Sequence, residues 1–137
     1  YGLAGLRVGY MVANKDITSI MNRLRAPFNV STVALAAALA AIDDTEHLKM
    51  VVDNNNKERE RYAEFCQKHD LFMIPSKANF VAIDFGKRDA QQIAKSLLEQ
   101  GVIVRPLLGY ELKDILRVSI GTPEQNDRFF RVTETLL

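Results

Sequence analysis

Residues 45–69 constrain the fold of this chain more than any other segment. Apolar residues lie at both ends of the segment, and an uninterrupted polar run at residues 54–61 separates them. A long helix with polar middle turns is typical of an element that bridges two packed bodies. The pattern therefore predicts one long connecting helix. The alternative is a solvated surface helix that breaks near the three consecutive asparagines, residues 54–56.

Three shorter elements are predicted before this helix. Partial alternation of apolar residues favours a strand over residues 6–13. Apolar residues at helical spacing, followed by a proline, predict a helix over residues 15–25. Either Ser31 or Thr32 is the expected N-cap of a second helix that runs to about Ile42. That helix is rich in alanine, which permits close packing against a neighbouring element.

The last part of the chain changes to short strands and helices. The predicted strands are residues 71–74, 79–85, 102–105 and 116–120. A helix is expected over about residues 89–100, with Gly101 at its C-terminal end. The final helix has a clear start, because Thr122 is a suitable N-cap, Pro123 follows it, and Gln125 completes a capping box. This order of elements predicts a small α/β layer structure, with helices covering a sheet.

Composition excludes several classes of function. There are 18 Lys+Arg against 17 Asp+Glu, which gives a net charge of +1 and no field that would attract nucleic acid or an anionic membrane. The longest apolar stretch, residues 33–42, is much shorter than the roughly 20 residues of a membrane-spanning helix. Cys66 is the single cysteine, and no Cys/His cluster surrounds it, which fits a reducing cytoplasm and no metal site.

Three arginines occupy predicted strands or strand ends, where a basic residue needs an explanation. Arg7 is followed at the same-face position by Gly9, which leaves room for a bulky anion. Arg105 ends a predicted strand that a proline stops, and Arg117 lies in an otherwise apolar strand. A guanidinium matches a carboxylate or phosphate through two parallel hydrogen bonds. Taken alone, each arginine fits a structural ion pair as well as a ligand contact.

Sequence motifs around these arginines resemble a known family. The opening run YGLAGLRVGY, residues 1–10, is similar to the segment after the Schiff-base lysine of fold-type-I pyridoxal-phosphate-dependent aminotransferases. Four further motifs resemble the histidinol-phosphate aminotransferase branch of that family. They are PFNVS at residues 27–31, ANFV at 78–81, GVIVRP at 101–106 and LRVSIGT at 116–122. The resemblance covers essentially the whole chain in the right order.

The resemblance implies a domain organisation. Residues 1–42 would be a remnant of the large cofactor-binding domain, residues 43–70 the long connecting helix, and residues 71–137 the small C-terminal α/β domain. On this register the lysine lies two residues upstream of Tyr1, so we expect the chain to be an incomplete, inactive C-terminal part of its parent enzyme, without a catalytic residue of its own. The parent is expected to be a cytoplasmic homodimer that uses pyridoxal 5'-phosphate.

The resemblance also implies roles for the arginines. Arg7 would hold the cofactor phosphate, Arg117 the substrate carboxylate or another anion, and Arg105 the remote phosphate of histidinol phosphate. The implied reaction is transamination between histidinol phosphate and 2-oxoglutarate or glutamate in histidine biosynthesis. Two alternatives remain open. One is another enzyme of the superfamily, such as threonine-phosphate decarboxylase or a broad amino-acid aminotransferase; the other is a non-enzymatic α/β interaction module whose arginines are structural.

The 137-residue chain by itself should have no transaminase activity and form no covalent bond to pyridoxal phosphate. The reason is that the expected lysine lies outside it, while Lys15 and Lys57 fall in predicted helices. The test is incubation with pyridoxal phosphate, borohydride reduction and peptide mapping. Stoichiometric labelling of one lysine, together with turnover, would contradict this expectation.

Overall fold

The structure is a computed structural model that describes all 137 residues. Its helices and strands are α1 Lys15–Leu24, α2 Thr32–Asp43, α3 Thr45–Lys68, β1 Phe72–Ile74, β2 Phe80–Asp84, α4 Ala90–Glu99, β3 Arg105–Leu107, β4 Leu112–Ser119 and α5 Pro123–Glu134. Two short 3-10 helices, Ala4–Leu6 and Leu108–Tyr110, complete the fold. None of the helices combines the length and the apolar character that crossing a bilayer requires. The chain divides into two compact units, Tyr1–Met50 and Val51–Leu137.

Helix α3 is continuous over 24 residues, which confirms the predicted long helix. The alternative with a break at residues 54–56 is wrong, because these residues are helical. The polar middle of α3 is not uniformly solvated, since Glu58 is fully buried. The division into compact units falls within α3, after Met50. Assignment of residues 1–42, 43–70 and 71–137 to parts of two domains stays a prediction.

Side-chain caps start the other helices where the sequence indicates. Asn14 caps α1 by accepting from the Ile17 amide at 2.9 Å. Ser31, rather than Thr32, caps α2. The predicted capping box of α5 is present, with Thr122 and Gln125 each accepting a backbone N–H from the other. These starts were predictable because a cap satisfies local backbone donors within one turn.

The predicted strand over residues 6–13 is wrong. The structure has the 3-10 helix Ala4–Leu6 there, followed by irregular backbone up to α1. A strand requires hydrogen bonds to a neighbouring strand. All four strands of the sheet lie between Phe72 and Ser119, so residues 6–13 have no strand partner in the structure. Alternation of apolar residues shows that a strand could bury one face, but it does not show that a neighbouring strand is available to pair with it.

The sheet has four strands in the order β1-β2-β4-β3, and every neighbouring pair is antiparallel. The predicted succession of strands and helices after residue 70 is confirmed. The bounds of two strands differ from the prediction. Strand β3 begins at Arg105 and contains Pro106, whereas residues 102–104 are not in a strand. Strand β4 begins at Leu112, four residues before the predicted start, and ends at Ser119. Because β3 is an edge strand, a proline without an N–H is tolerated in it.

One face of the sheet packs against α3, α4 and α5. Val81 and Ile83 of β2 and Leu116 and Val118 of β4 alternate with less buried residues, as expected when a sheet buries one face. The helices supply most of the remaining core residues: Tyr62, Phe65, Cys66, Ala90, Ile93, Leu97 and Phe129. The residues of β2 and β4 that alternate with these buried residues therefore have their side chains on the opposite face of the sheet.

The unit Tyr1–Met50 exposes much of its apolar surface. Val12 is 87% exposed, Phe28 is fully exposed and Leu39 is 69% exposed. Helix α2 consists largely of apolar residues on all sides, yet Ala34 is its only buried residue. A helix that is apolar all round is normally buried, and large exposed apolar patches mark association surfaces.

We therefore expect the 137-residue chain to self-associate through this surface. Leu39→Glu in α2 should reduce the association, because it places a charge on the apolar patch. Ile103→Glu is the matched control, since Ile103 is 83% exposed but belongs to the other unit. Light scattering over a range of concentrations measures the effect. A strictly monomeric wild-type chain at high concentration would contradict the expectation.

Candidate anion-binding site

Arg105 and Arg117 are brought together by the pairing of β3 with β4. Their Cα atoms are direct partners in the register. Residues that lie opposite each other on antiparallel strands share one face of the sheet, with Cβ atoms about 4.5–5.5 Å apart. On its other side, Arg117 is paired with Ala82 of β2, which has only a methyl side chain. Like charges in directly opposite positions destabilise a strand pair, so this arrangement calls for a compensating anion.

Neither arginine has such a partner within the structure. The ion pairs of the second unit involve other residues: Glu58, Arg61, Lys68, His69, Asp127 and Glu134. The Arg117 guanidinium lies 5.1 Å from the centroid of the Phe80 ring, and the Arg105 guanidinium lies 5.9 Å from that of Tyr110. A cation–π contact of this kind orients a guanidinium but leaves its N–H donors free.

The Nε atom of Arg117 is buried and has no hydrogen-bond partner. A buried donor without a partner costs roughly 1–3 kcal/mol, so such groups are rare and each needs an explanation. A bound carboxylate or phosphate oxygen would satisfy it. The two arginines therefore form a candidate anion-binding site on the face of the sheet that the core does not use.

Arg7 belongs to the other compact unit, Tyr1–Met50. It follows the short 3-10 helix in the left-handed conformation, with φ 56° and ψ 33°. Its Nη1 donates to the carbonyl oxygen of Ala4 at 2.9 Å, and its side chain is exposed. A left-handed non-glycine residue is uncommon, and such residues cluster at functional sites. The space that Gly9 was expected to leave is open in any case, because a Cβ there would meet nothing within 4 Å.

The same unit contains a cleft of about 530 Å³ between residues 1–10 and helix α2. Its walls are mostly apolar, with Tyr1, Val8 and Tyr10 from the first segment and Leu35 and Leu39 from α2. Arg7 does not line this cleft. The cleft and the guanidinium of Arg7 are therefore separate features of this unit.

Other types of site are not formed. No three His, Cys, Asp or Glu side chains lie together in a way that could hold a metal ion. Burial raises the pKa of the Cys66 thiol to about 11, so little thiolate exists at neutral pH. Cys66 is a core residue and not an activated nucleophile.

The sequence reasoning missed a polar network at the middle of α3. The carboxylate of Glu58 accepts hydrogen bonds from Arg61 and from Asn126 of α5, and Tyr62 donates to the same asparagine. A signal was present, because Glu58, Tyr62 and Phe65 follow helical spacing and must share the buried face. The abundance of charged neighbours concealed it.

Comparison with known proteins identifies the family to which the chain belongs. The profile of the family described as "Aminotransferase class I and II" matches residues 1–132. The chain belongs to the class I and II aminotransferase family. The resemblance stated from the motifs is thereby confirmed, and so is the α/β fold class.

Two histidinol-phosphate aminotransferases are similar to this aminotransferase-family chain over its whole length. Histidinol-phosphate aminotransferase 2 of Haemophilus influenzae is 51% identical over 137 residues, which are 100% of this chain and 37% of the relative. The structure of histidinol-phosphate aminotransferase from Sinorhizobium meliloti, in complex with pyridoxal-5'-phosphate, has a TM-score of 0.84 and 30% identity, and the match covers 100% of this chain and 39% of that one. The chain thus spans a little over a third of the relatives' length.

An enzyme of another reaction type has a similar fold. The structure of L-threonine-O-3-phosphate decarboxylase from Porphyromonas gingivalis has a TM-score of 0.71 and 24% identity, with 99% of this chain and 43% of that one covered. At this identity the likeness shows the fold alone. The fold of this aminotransferase-family chain therefore does not by itself select the reaction.

Inorganic phosphate should raise the melting temperature of the protein, because an anion bound between Arg105 and Arg117 removes their repulsion and binds only the folded state. Arg105→Met should abolish most of this effect and leave the anion-free protein at least as stable as wild type. Differential scanning fluorimetry measures both. Arg131→Met replaces an exposed arginine of α5 and serves as the control. Equal phosphate effects in both variants would show that the stabilisation is non-specific.

Proposed function

We propose that the protein to which this chain belongs is a pyridoxal-phosphate-dependent aminotransferase. It transfers the amino group of glutamate to the keto form of histidinol phosphate, or in the reverse direction from histidinol phosphate to 2-oxoglutarate. The observation that carries the proposal is the unpaired Arg105–Arg117 pair on adjacent strands. The 51% identity to a histidinol-phosphate aminotransferase supports it. We place the reaction in histidine biosynthesis, with small molecules rather than nucleic acids or membranes as partners.

We also propose a cytoplasmic homodimer. The single cysteine, which is buried and unpaired, supports a reducing compartment. The exposed apolar side chains of residues 1–50 support association with a second surface.

The proposed cofactor is pyridoxal 5'-phosphate, and the residue of this chain that would hold its phosphate is Arg7. The fit rests on the side chain itself. The guanidinium is exposed, has no carboxylate partner, and uses one hydrogen bond to Ala4, which leaves further donors for phosphate oxygens. When bound, this cofactor supplies the electron sink that delocalises negative charge at the substrate's α-carbon.

Arg117 is proposed to hold an anion common to both half-reactions, which is the carboxylate next to the amino group in glutamate and the phosphate in histidinol phosphate, a substrate without a carboxylate. It lies on an interior strand, and the Phe80 ring orients its guanidinium. Two parallel hydrogen bonds from a planar fork fix both the position and the direction of a carboxylate. Since a guanidinium keeps its proton at any physiological pH, Arg117 binds and orients the substrate and does not transfer a proton.

Arg105 is proposed to hold the remote phosphate of histidinol phosphate. It lies on the edge strand and is exposed, which suits a dianion that keeps part of its hydration. A phosphate monoester carries about −1.5 to −2 charges at neutral pH, enough to compensate two neighbouring arginines. The second carboxylate of glutamate can use the same group, so one site would serve both amino-group donors.

The alternatives differ in how they fit the two arginines. A threonine-phosphate decarboxylase substrate carries a carboxylate in addition to a phosphate, so the arginine pair fits it as well. A substrate screen on the full-length protein separates the two reactions. A broad amino-acid aminotransferase would not need the phosphate contact. A non-enzymatic module with structural arginines is disfavoured, because neither Arg105 nor Arg117 has an ion-pair partner.

Replacing the two arginines in the full-length enzyme should give different kinetic signatures. Loss of a charge-assisted contact costs roughly 1.5–3 kcal/mol, which lowers kcat/KM about 10- to 100-fold. Arg117→Ala should weaken glutamate and histidinol phosphate alike. Arg105→Ala should weaken histidinol phosphate much more than unphosphorylated histidinol.

Steady-state kinetics with histidinol phosphate and histidinol on both variants make the decisive comparison. Glutamate is less informative for Arg105, because its second carboxylate can occupy the phosphate position. Equal losses for histidinol phosphate and histidinol in Arg105→Ala would show that this arginine is structural and that the phosphate assignment is wrong.

A further inference from the structure

Helix α3 holds the backbone that directly follows the Arg117 strand. Asn54 Nδ2 of α3 donates to the Gly121 carbonyl oxygen at 3.0 Å. Asn126 of α5 binds the same residue twice, since its Oδ1 accepts from Gly121 N at 3.0 Å and its Nδ2 donates to Gly121 O at 3.1 Å. Gly121 lies two residues beyond Ser119, the end of β4. Both polar backbone groups of this glycine are therefore fixed by side chains.

The orientation of the Asn126 amide is itself fixed by α3. Its Nδ2 also donates to the buried Glu58 Oε2 at 2.8 Å, and its Oδ1 also accepts from the Tyr62 hydroxyl at 3.0 Å. A primary amide has two donors and one oxygen with two lone pairs, so the hydrogen-bonding capacity of Asn126 is fully used. The amide cannot flip without breaking several of these bonds. Glu58 thereby determines which atoms of Asn126 face Gly121.

Burial of the Glu58 carboxylate costs free energy. Its second oxygen, Oε1, is buried without a hydrogen-bond partner. Arg61 compensates the charge through Oε2 at 2.8 Å, and Arg61 is also paired with Asp127 of α5. A buried carboxylate with one unsatisfied oxygen destabilises a fold relative to apolar packing, and local rules are broken in this way mainly at functional sites.

The same helix holds the start of β2, which carries the ring beneath Arg117. Arg59 Nη1 donates to the Ala78 carbonyl oxygen at 3.0 Å. The next residue, Asn79, accepts from the Ile120 amide at 2.9 Å, which ties the start of β2 to the end of β4. Phe80 follows immediately as the first residue of β2.

We propose that these contacts form a polar clamp that positions Arg117 and Phe80 for anion binding. The polar clamp consists of Asn54, Glu58, Arg59 and Asn126. Its members lie on α3 and α5 and hold the start of β2 and the end of β4, which lie at the same end of the sheet. None of the four residues is proposed to contact the anion itself. Preorganised donors bind more tightly than mobile ones, because no ordering has to occur on binding. The identity of the anion as a substrate carboxylate rests on the proposed function.

Asn54→Ala tests the clamp in the full-length protein, and Asn55→Ala is its matched control. Both residues lie in the middle of α3, but Asn55 Nδ2 donates only to Val51 O within the same helix. Alanine has the higher helix propensity, so neither change should prevent folding. Glutarate, a dicarboxylate without an amino group, is the probe; calorimetry gives its dissociation constant, and hydrogen exchange with mass spectrometry reports on residues 117–121.

Asn54→Ala should speed exchange in residues 117–121 and raise the glutarate dissociation constant roughly 3- to 10-fold, the range expected for one lost neutral hydrogen bond. Asn55→Ala should do neither. Unchanged exchange in Asn54→Ala would overturn the clamp. Where Arg117→Ala weakens glutarate binding, faster exchange in Asn54→Ala with unchanged glutarate affinity would equally overturn the clamp, because the contact would then be structural only.

Arg117→Ala separates failure of the clamp from failure of the proposed function. If wild type and Arg117→Ala bind glutarate equally, or neither binds it, the assignment of Arg117 to a carboxylate fails. Hydrogen exchange in residues 117–121 does not depend on any ligand, so it still shows whether the polar clamp holds this backbone. Faster exchange in Asn54→Ala alone would support it, and equal exchange in both asparagine variants would overturn it.

Discussion

Arg117 lies between two buried residues, and this alternation sets the arrangement of the second compact unit. Leu116 and Val118 are buried against the helices, so the side chain between them must lie on the opposite face. Slipping the register of β4 by one residue would place a guanidinium in the core, where an unpaired charge costs many kcal/mol. The core therefore specifies the register, and the register places Arg117 beside Arg105 and Ala82. Packing of one face thus brings together, on the other face, the two arginines of the candidate anion-binding site.

The parts of this arrangement that local chemistry decides could be predicted from the sequence. The caps at Ser31 and Thr122 and the left-handed Gly101, with φ 74°, follow from residues within one turn. Pairing between distant segments could not be predicted in the same way. Residues 6–13 alternate like a strand but have no neighbour to bond, and β3 begins at Arg105 because its partner in β4 fixes it there. The proximity of Arg105 and Arg117 depends on that pairing, so the sequence identified both residues without showing that they are adjacent.

Glu58 shows the opposite case, in which a pattern was visible and its meaning was not. Its spacing from Tyr62 and Phe65 puts it on the buried face of α3, while its charged neighbours, which are mostly basic, indicate a solvated turn. Tertiary contact decides between these interpretations, because the Asn126 amide can donate to Glu58 only after α5 has packed against α3. Burial also raises the pKa of Tyr62 well above its usual value, so its hydroxyl keeps the proton that it donates to Asn126. The Tyr62 hydroxyl is therefore a fixed donor in this network, and Asn126 Oδ1 is its acceptor.

The positions of the two arginines in the sheet also bear on how specificity is divided between them. Arg117 is on an interior strand, with neighbours on both sides and the core beneath it, so a change there disturbs packing as well as binding. Arg105 is on the edge strand, where irregular pairing between Pro106 and Leu107 already interrupts the ladder. Edge positions tolerate substitution better because fewer contacts depend on them. A contact that all substrates need is thus best placed on β4, and a contact that distinguishes one substrate from another is best placed on β3. The proposed assignment of the anion common to both half-reactions to Arg117, and of the contact that recognises the remote phosphate to Arg105, follows this physical difference.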